Sequence, residues 1–129
     1  MPRTMFVHLP VADLAASVRF FLGLGLSFDE RVDDEQAACL VVSDRAAVML
    51  LARPLFATFT RKAVADAGLG TEAILSLSAT SRAEVDALVD SALHQGGSVA
   101  NAPSDRDGVY GRSFFDLDGH AWEVLWMGP

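Results

Sequence analysis

The chain has 129 residues, 51% of them hydrophobic and 21% charged, which suits one domain or two small half-domains with a buried core and excludes a multidomain enzyme. Ten Lys and Arg against seventeen Asp and Glu leave a net charge of −7, a balance that repels phosphate backbones and anionic lipid, so neither nucleic acid nor membrane is an expected partner. Cys39 is the single cysteine, which rules out an intrachain disulfide; no apolar run approaches the roughly 20 residues of a membrane span, and a soluble cytoplasmic protein is expected.

Met5 to Val11 is short, apolar and rich in strand formers, and Pro10 closes it. Asp13 then caps a helix whose apolar stripe runs through Leu14, Val18, Phe21 and Leu22 and which Gly23 and Gly25 end. Three strand-like runs follow, Leu26 to Val32, Gln36 to Ser43 and Ala46 to Ala52. Residues 53–70 interrupt the rhythm as a connector, with Pro54, a short helix over 61–66, and Gly68 and Gly70. The pattern restarts with Ala73 to Ala79, which alternates apolar and small polar residues as a half-buried strand does. Ser81 and Glu84 form a capping box for a helix with the stripe Val85, Leu88, Val89, Ala92 and Leu93, which Gly96 and Gly97 terminate. Short Ser98 to Ala100, then Tyr110 to Leu117 and His120 to Met127 complete the chain, the last two joined by a two-residue Asp118-Gly119 hairpin turn.

The two halves match in element order, with Phe6 over Ile74, Gly25 over Gly96 and Leu50 over Glu123. The expected fold is therefore α+β, one domain over residues 1–129 made of two tandem βαβββ modules, about 3–60 and 71–127. Each module is expected to curl into a half-barrel with its helix on the convex side.

A two-residue turn pairs Leu117 with His120, so Phe115, Trp122, Val124 and Trp126 are expected to face the helix. Tyr110, Arg112, Phe114, Ala121, Glu123 and Leu125 then form the opposite face, a carboxylate, a guanidinium and a phenol among apolar neighbours, as in a ligand pocket. In this register Arg112 and Glu123 reach one another diagonally, either as an ion pair or as a binding point for a charged ligand group, and Arg112 is expected to serve ligand binding more than folding.

Leu9-Pro10-Val11-Ala12-Asp13-Leu14 at the first helix, Phe20-Phe21-Leu22-Gly23-Leu24-Gly25 at its end, and Asp116-Leu117-Asp118-Gly119-His120-Ala121-Trp122-Glu123 near the C-terminus make the chain resemble the glyoxalase, bleomycin-resistance and extradiol-dioxygenase superfamily, the vicinal oxygen chelate proteins. Tyr110-Gly111-Arg112-Ser113-Phe114 and the ending Trp122-Glu123-Val124-Leu125-Trp126-Met127 are similar to a branch of predicted lactoylglutathione-lyase-related proteins. The resemblance implies a divalent metal held by His, Glu or Gln from the first and last strands of each module. At the matching positions this chain has Phe6, Leu50, Ile74 and Glu123, of which Glu123 alone can ligate a metal. It also implies a homodimer.

His8, two residues beyond Phe6 on the same face, reads as a hydrogen-bonded pocket histidine, since with Glu123 it makes only half a metal shell. Cys39 reads as a small buried hydrophobe. No cofactor is expected, a divalent metal being the alternative. The expected function is binding of an organic small molecule in a largely apolar pocket lined by Phe6, His8, Leu50, Ile74, Ser76, Tyr110, Arg112, Phe114 and Glu123. The competing expectation is a glyoxalase-like lyase or isomerase in which Glu123 moves a proton and His8 or Tyr110 assists.

Overall fold

The computed structural model describes residues 2–129, and the chain divides into two compact units between Ala65 and Asp66. The first unit holds β1 (Met5–Val11), α1 (Leu14–Gly23), β2 (Ser27–Phe28), β3 (Ala37–Ser43), β4 (Ala46–Ala52) and α2 (Arg53–Ala57). The second holds β5 (Ile74–Ser78), α3 (Arg82–His94), β6 (Ser98–Val99), β7 (Ser104–Arg106), β8 (Val109–Phe115) and β9 (Ala121–Met127). Strand order is β1-β4-β3-β2 in one sheet and β5-β9-β8-β6 in the other, with β7 also paired to β8. Each sheet begins with a parallel pair, β1 with β4 or β5 with β9, and is otherwise antiparallel, so the two tandem βαβββ modules are present.

Local chemistry explains the helix limits. Asp13 is extended and its carboxylate accepts from Ala16 N at 3.0 Å, satisfying one of the orphan donors of α1. The far end closes as Leu26 N donates to Phe21 O and Gly25 N to Leu22 O, with Gly25 in the left-handed region at φ 85°. At α3, Ser81 Oγ accepts from Glu84 N at 3.0 Å. The returning Glu84 carboxylate accepts from Thr80 N and Thr80 Oγ1, one residue earlier than a reciprocal box requires.

Three expectations are corrected. The run Leu26 to Val32 shortens to Ser27–Phe28, because Asp29 accepts from Arg31 N and clasps its guanidinium, turning the chain out of the sheet. The connector helix lies at Arg53–Ala57 rather than 61–66: Pro54 stands in its first turn, where a missing N–H costs nothing, so the proline starts a helix instead of breaking one. β7 was not expected, since Ser104-Asp105-Arg106 is polar and exposed and carries no apolar alternation.

Register separates the two faces of each sheet. In the first, Val11, Leu40, Val48 and Leu50 share one buried face by their pairings, and Phe20 and Phe21 of α1, which packs on β3 and β4, complete that core. In the second, Trp122, Phe114 and Val124 are fully buried beneath α3, with Val85, Val89 and Ala92 from the helix, and the Phe114 and Trp122 rings stack with centroids 6.3 Å apart.

The turn between β8 and β9 decides which residues these are. Asp116 N donates to His120 O and Gly119 N to Asp116 O, which makes a three-residue loop, Leu117-Asp118-Gly119, ending on Gly119 at φ 92°. A Cβ at Gly119 would lie 2.9 Å from the Ala67 carbonyl oxygen, so space as well as φ demands glycine. The Asp116 carboxylate fastens the loop by accepting from Asp118 N and His120 N, each at 3.0 Å, and from Trp122 Nε1 at 2.9 Å.

Burial pushes the Asp116 carboxyl up from the usual 3.8, while the charge of His120 and the hydrogen bonds from Trp122, His120 and Asp118 pull it down. A raised folded-state value means that this group's contribution to stability is full below pH 3.8 and declines as pH rises through the folded value. Asp116→Asn places an NH₂ donor against a surrounding donor and should cost about 1–3 kcal/mol at neutral pH. It should also remove that acid-range slope, both effects being read from urea midpoints between pH 3 and 7.

Candidate functional site

The three-residue turn shifts β8 by one residue against the register that a two-residue turn predicts. Phe115 pairs with Ala121, Phe114 with Trp122, Ser113 with Glu123 and Arg112 with Val124. A one-residue slip exchanges the faces of a strand. Tyr110, Arg112 and Phe114 therefore lie on the helix-covered face with Trp122 and Val124, while Phe115 joins Ala121, Glu123 and Leu125 on the open one. The expected diagonal contact between Arg112 and Glu123 is corrected accordingly.

On the helix-covered face the polar groups form a closed network. Tyr110 Oη donates to Asp86 Oδ1 at 2.5 Å, and Arg112 Nη1 donates to Asp86 at 3.1 Å and to Asp90 at 2.8 Å. Asp86 and Asp90 lie one turn apart on α3, so both reach one guanidinium. The bond from Tyr110 and then that from Arg112 hold the Asp86 carboxyl below the usual range, and the same bond raises the Tyr110 phenol. Burial opposes the charge on Arg112, but the bonds to Asp90 and Asp86 outweigh it. Beside this network Arg82 forks onto Asp105 at 2.6 and 2.9 Å and lies over the Tyr110 and Trp126 rings.

The open face of the second sheet has a different character. Ile74, Ser76 and Ser78 of β5 stand beside Ala121, Glu123 and Leu125 of β9, with Gly111, Ser113 and Phe115 of β8 beyond. Glu123 is flanked in register by a hydroxyl on each side, Ser76 and Ser113. Ser76 Oγ donates to Glu123 Oε1 at 2.7 Å, and Ser113 Oγ accepts from Asn101 N at 3.0 Å. A concavity of about 180 Å³ lies beside Glu123 on the β8 side, lined by Asn101, Ser104, Val109, Arg112, Ser113, Glu123 and Leu125 among others. Ser113 was not among the expected site residues; the signal for it was the turn length, which fixes what stands opposite Glu123.

In the first unit Phe6 and His8 share the face of Met49, since His8 pairs with Met49 and Phe6 with Ala47. His8 meets the Phe59 ring edge-on at 5.6 Å. Leu50 is corrected: it pairs with Leu9 and Ala38 and is fully buried on the helix-covered face. The residue matching Glu123, which pairs with Ser76, is Met49, which pairs with His8. Cys39, opposite Met49, is buried, and burial pushes its thiol up, in keeping with a small hydrophobe.

A family model, glyoxalase/bleomycin resistance protein/dioxygenase superfamily, matches residues 3–124. The chain belongs to this superfamily. A hypothetical protein from S. aureus is 28% identical with a TM-score of 0.83, covering 98% of this chain and 95% of its own. A lactoylglutathione lyase from Agrobacterium tumefaciens is 20% identical at TM-score 0.68, covering 95% and 91%, and a fosfomycin resistance protein from Mesorhizobium loti is 15% identical at 0.68, covering 98% and 92%. No curated protein matches the sequence. At such identities the last two show the fold alone.

The superfamily implies a divalent metal, and the donor set does not fit one. Phe6 and Ile74 carry no lone pair, Met49 offers only a soft thioether, and Glu123 is the one hard donor at the four matching positions. Ligating atoms of Asp116, Asp118 and His120 do lie within 4.8 Å of one another, but the Asp116 carboxylate is already occupied by Trp122 and two backbone N–H groups.

The network ties Arg112 to α3, and the residue also lines the concavity. Arg112→Met should lower the unfolding midpoint by about 2–8 °C, the equivalent of about 1 kcal/mol for a bridge to partly exposed aspartates, while leaving chemical shifts at Ser76 and Glu123 unchanged.

Proposed function

We propose that the protein binds a small organic molecule on the open face of its second sheet, with Glu123 as the polar anchor. One observation carries this reading: a carboxylate tethered by Ser76 at 2.7 Å sits beside a concavity that Val109 and Leu125 make partly apolar. More of the lining is polar than apolar, with Asn101, Ser104, Arg112 and Ser113 beside Glu123, so the site offers hydrogen bonds more than apolar contact. At about 180 Å³ the concavity suits a head group rather than a whole drug-sized ligand.

The competing reading, a glyoxalase-like lyase or isomerase with Glu123 as the proton carrier, retains the carboxylate but loses Tyr110, whose Oη is bound to Asp86 on the other face. Polarising a substrate oxygen and holding an enediolate-like charge needs several protein donors around a cation, and the matching positions supply one. The hemithioacetal of methylglyoxal and glutathione should therefore be turned over no faster with the protein than without it.

Homodimer formation is part of the proposal. β1 is the edge of its sheet, and Met5 and Phe6 on it are 68% and 57% exposed, the kind of edge and apolar surface that a second copy covers. Light scattering should return twice the chain mass of 13.8 kDa.

The binding reading is tested by a fragment screen with thermal-shift and ligand-observed NMR readouts. Ser104→Trp, an exposed position at the rim, should abolish the hits and leave the unfolding midpoint within about 2 °C. Hits that survive this substitution would place binding elsewhere.

A further inference from the structure

We propose that an apolar groove in the first unit, between α1 and the loop over residues 29–36, binds an organic dication with an apolar body. The groove lies wholly within residues 14–39, so this site is independent of the one proposed at Glu123.

The groove has a volume of about 640 Å³, within the range of small-molecule sites. Its apolar lining comes from Leu14, Ala15 and Val18 of α1, from Phe28 and Ala38 of the sheet, and from Val32 of the loop. The apolar stripe of α1 is only partly used by the core. Phe21 is fully buried, whereas Leu14 and Val18 stay half-buried, as do Phe28 and Val32 across the groove. Apolar surface left in a concavity of this size is what the body of an organic ligand would cover.

The loop sets the charge of that ligand. Residues 29–35 hold five carboxylates and one arginine, and all five acidic residues line the groove, with no Lys, Arg or His in the lining. Arg31 clasps Asp29 through Nη2 at 2.7 Å and Nε at 3.0 Å, so these two charges cancel. Glu30, Asp33, Asp34 and Glu35 remain, all exposed, and none of them forms an ion pair among the described residues. Asp34 accepts from Gln36 N at 2.7 Å, a bond that shapes the loop and neutralises nothing. Arg19 of α1 and Arg53 of α2 lie outside the lining.

Carboxylates along one rim repel one another, and a cation within reach of them relieves that repulsion while gaining its own attraction. Among the described residues these carboxylates do not gather closely enough to hold a metal ion, which needs its donors converging on one point. Two ammonium groups held apart on one apolar body meet spread charge and apolar surface together. An anionic ligand meets repulsion with no guanidinium in the lining to offset it.

The test is a backbone-amide NMR titration of the full chain with four probes: p-xylylenediamine dihydrochloride, 1,4-benzenedimethanol, disodium terephthalate and 1,4-diaminobutane dihydrochloride. The aromatic diamine should shift the amides of Val18, Phe28, Val32 and Ala38 and bind at least about tenfold more tightly than the neutral diol. Most of that advantage should disappear in about 0.5 M sodium chloride. The aromatic diamine should also bind more tightly than diaminobutane, which carries the charges without the ring. Ala15→Trp, at an exposed helix position, should fill the groove and abolish the shifts. Glu30→Gln combined with Asp33→Asn and Glu35→Gln should bring the diamine down to the level of the diol. The probe comparisons on the unaltered protein stand even if these variants fold poorly. Equal affinity for diamine and diol, or preference for terephthalate, overturns the charge assignment. Equal affinity for the two diamines overturns the apolar groove in favour of surface charge alone. No shift at these amides, or shifts confined to Ser76, Ser113 and Glu123, removes the site and leaves the reading of Glu123 to its own test.

Discussion

The carboxylate of Asp116 is the constraint on which the second unit depends. It lies almost buried, and it accepts from two backbone N–H groups of its own turn and from the indole of Trp122, the largest buried side chain. Those bonds select a three-residue loop ending on left-handed Gly119 over the two-residue turn that an Asp-Gly pair equally allows. Through the loop length they set the register of β8 on β9, and through the register they choose which side chains meet α3.

Every polar residue of the hairpin then follows its parity. Tyr110 and Arg112 go to α3, where Asp86 and Asp90 neutralise the guanidinium, and an otherwise costly charge beneath a helix becomes a crosslink between helix and sheet. Glu123 goes to the other face, opposite Ser113 and beside Ser76. That Arg112 and Glu123 stand on opposite faces of one sheet follows from a single residue's difference in loop length.

Most of the fold was legible because it rests on local signals. Asp13 and Ser81 as caps, the apolar stripes of α1 and α3, and the glycines that end them all act within a few residues, and the repetition of β-α-β-β-β exposed the tandem architecture. The family was legible from spaced motifs at Leu9–Leu14 and Asp116–Glu123. What escaped depended on partners distant in sequence. The turn's choice between two and three residues is made by a bond to Trp122, and the role of Arg112 by aspartates some 22 and 26 residues away. Leu50 was set one residue off because only the pairing of His8 with Met49 and of Ser76 with Glu123 aligns the two modules at that strand.

The measurement that bears most directly on this account is the pattern of cross-strand Hα–Hα nuclear Overhauser effects in β8 and β9. Because Asp116 and His120 are a hydrogen-bonded pair, alternation makes Ser113–Glu123 and Phe115–Ala121 the closer, non-hydrogen-bonded pairs, with Cα atoms about 4.5 Å apart. Strong Hα–Hα effects between Ser113 and Glu123 and between Phe115 and Ala121 are the predicted result. Effects linking Phe114 to Glu123 and Asp116 to Ala121 instead would return Arg112 to the face of Glu123 and contradict the account at its root.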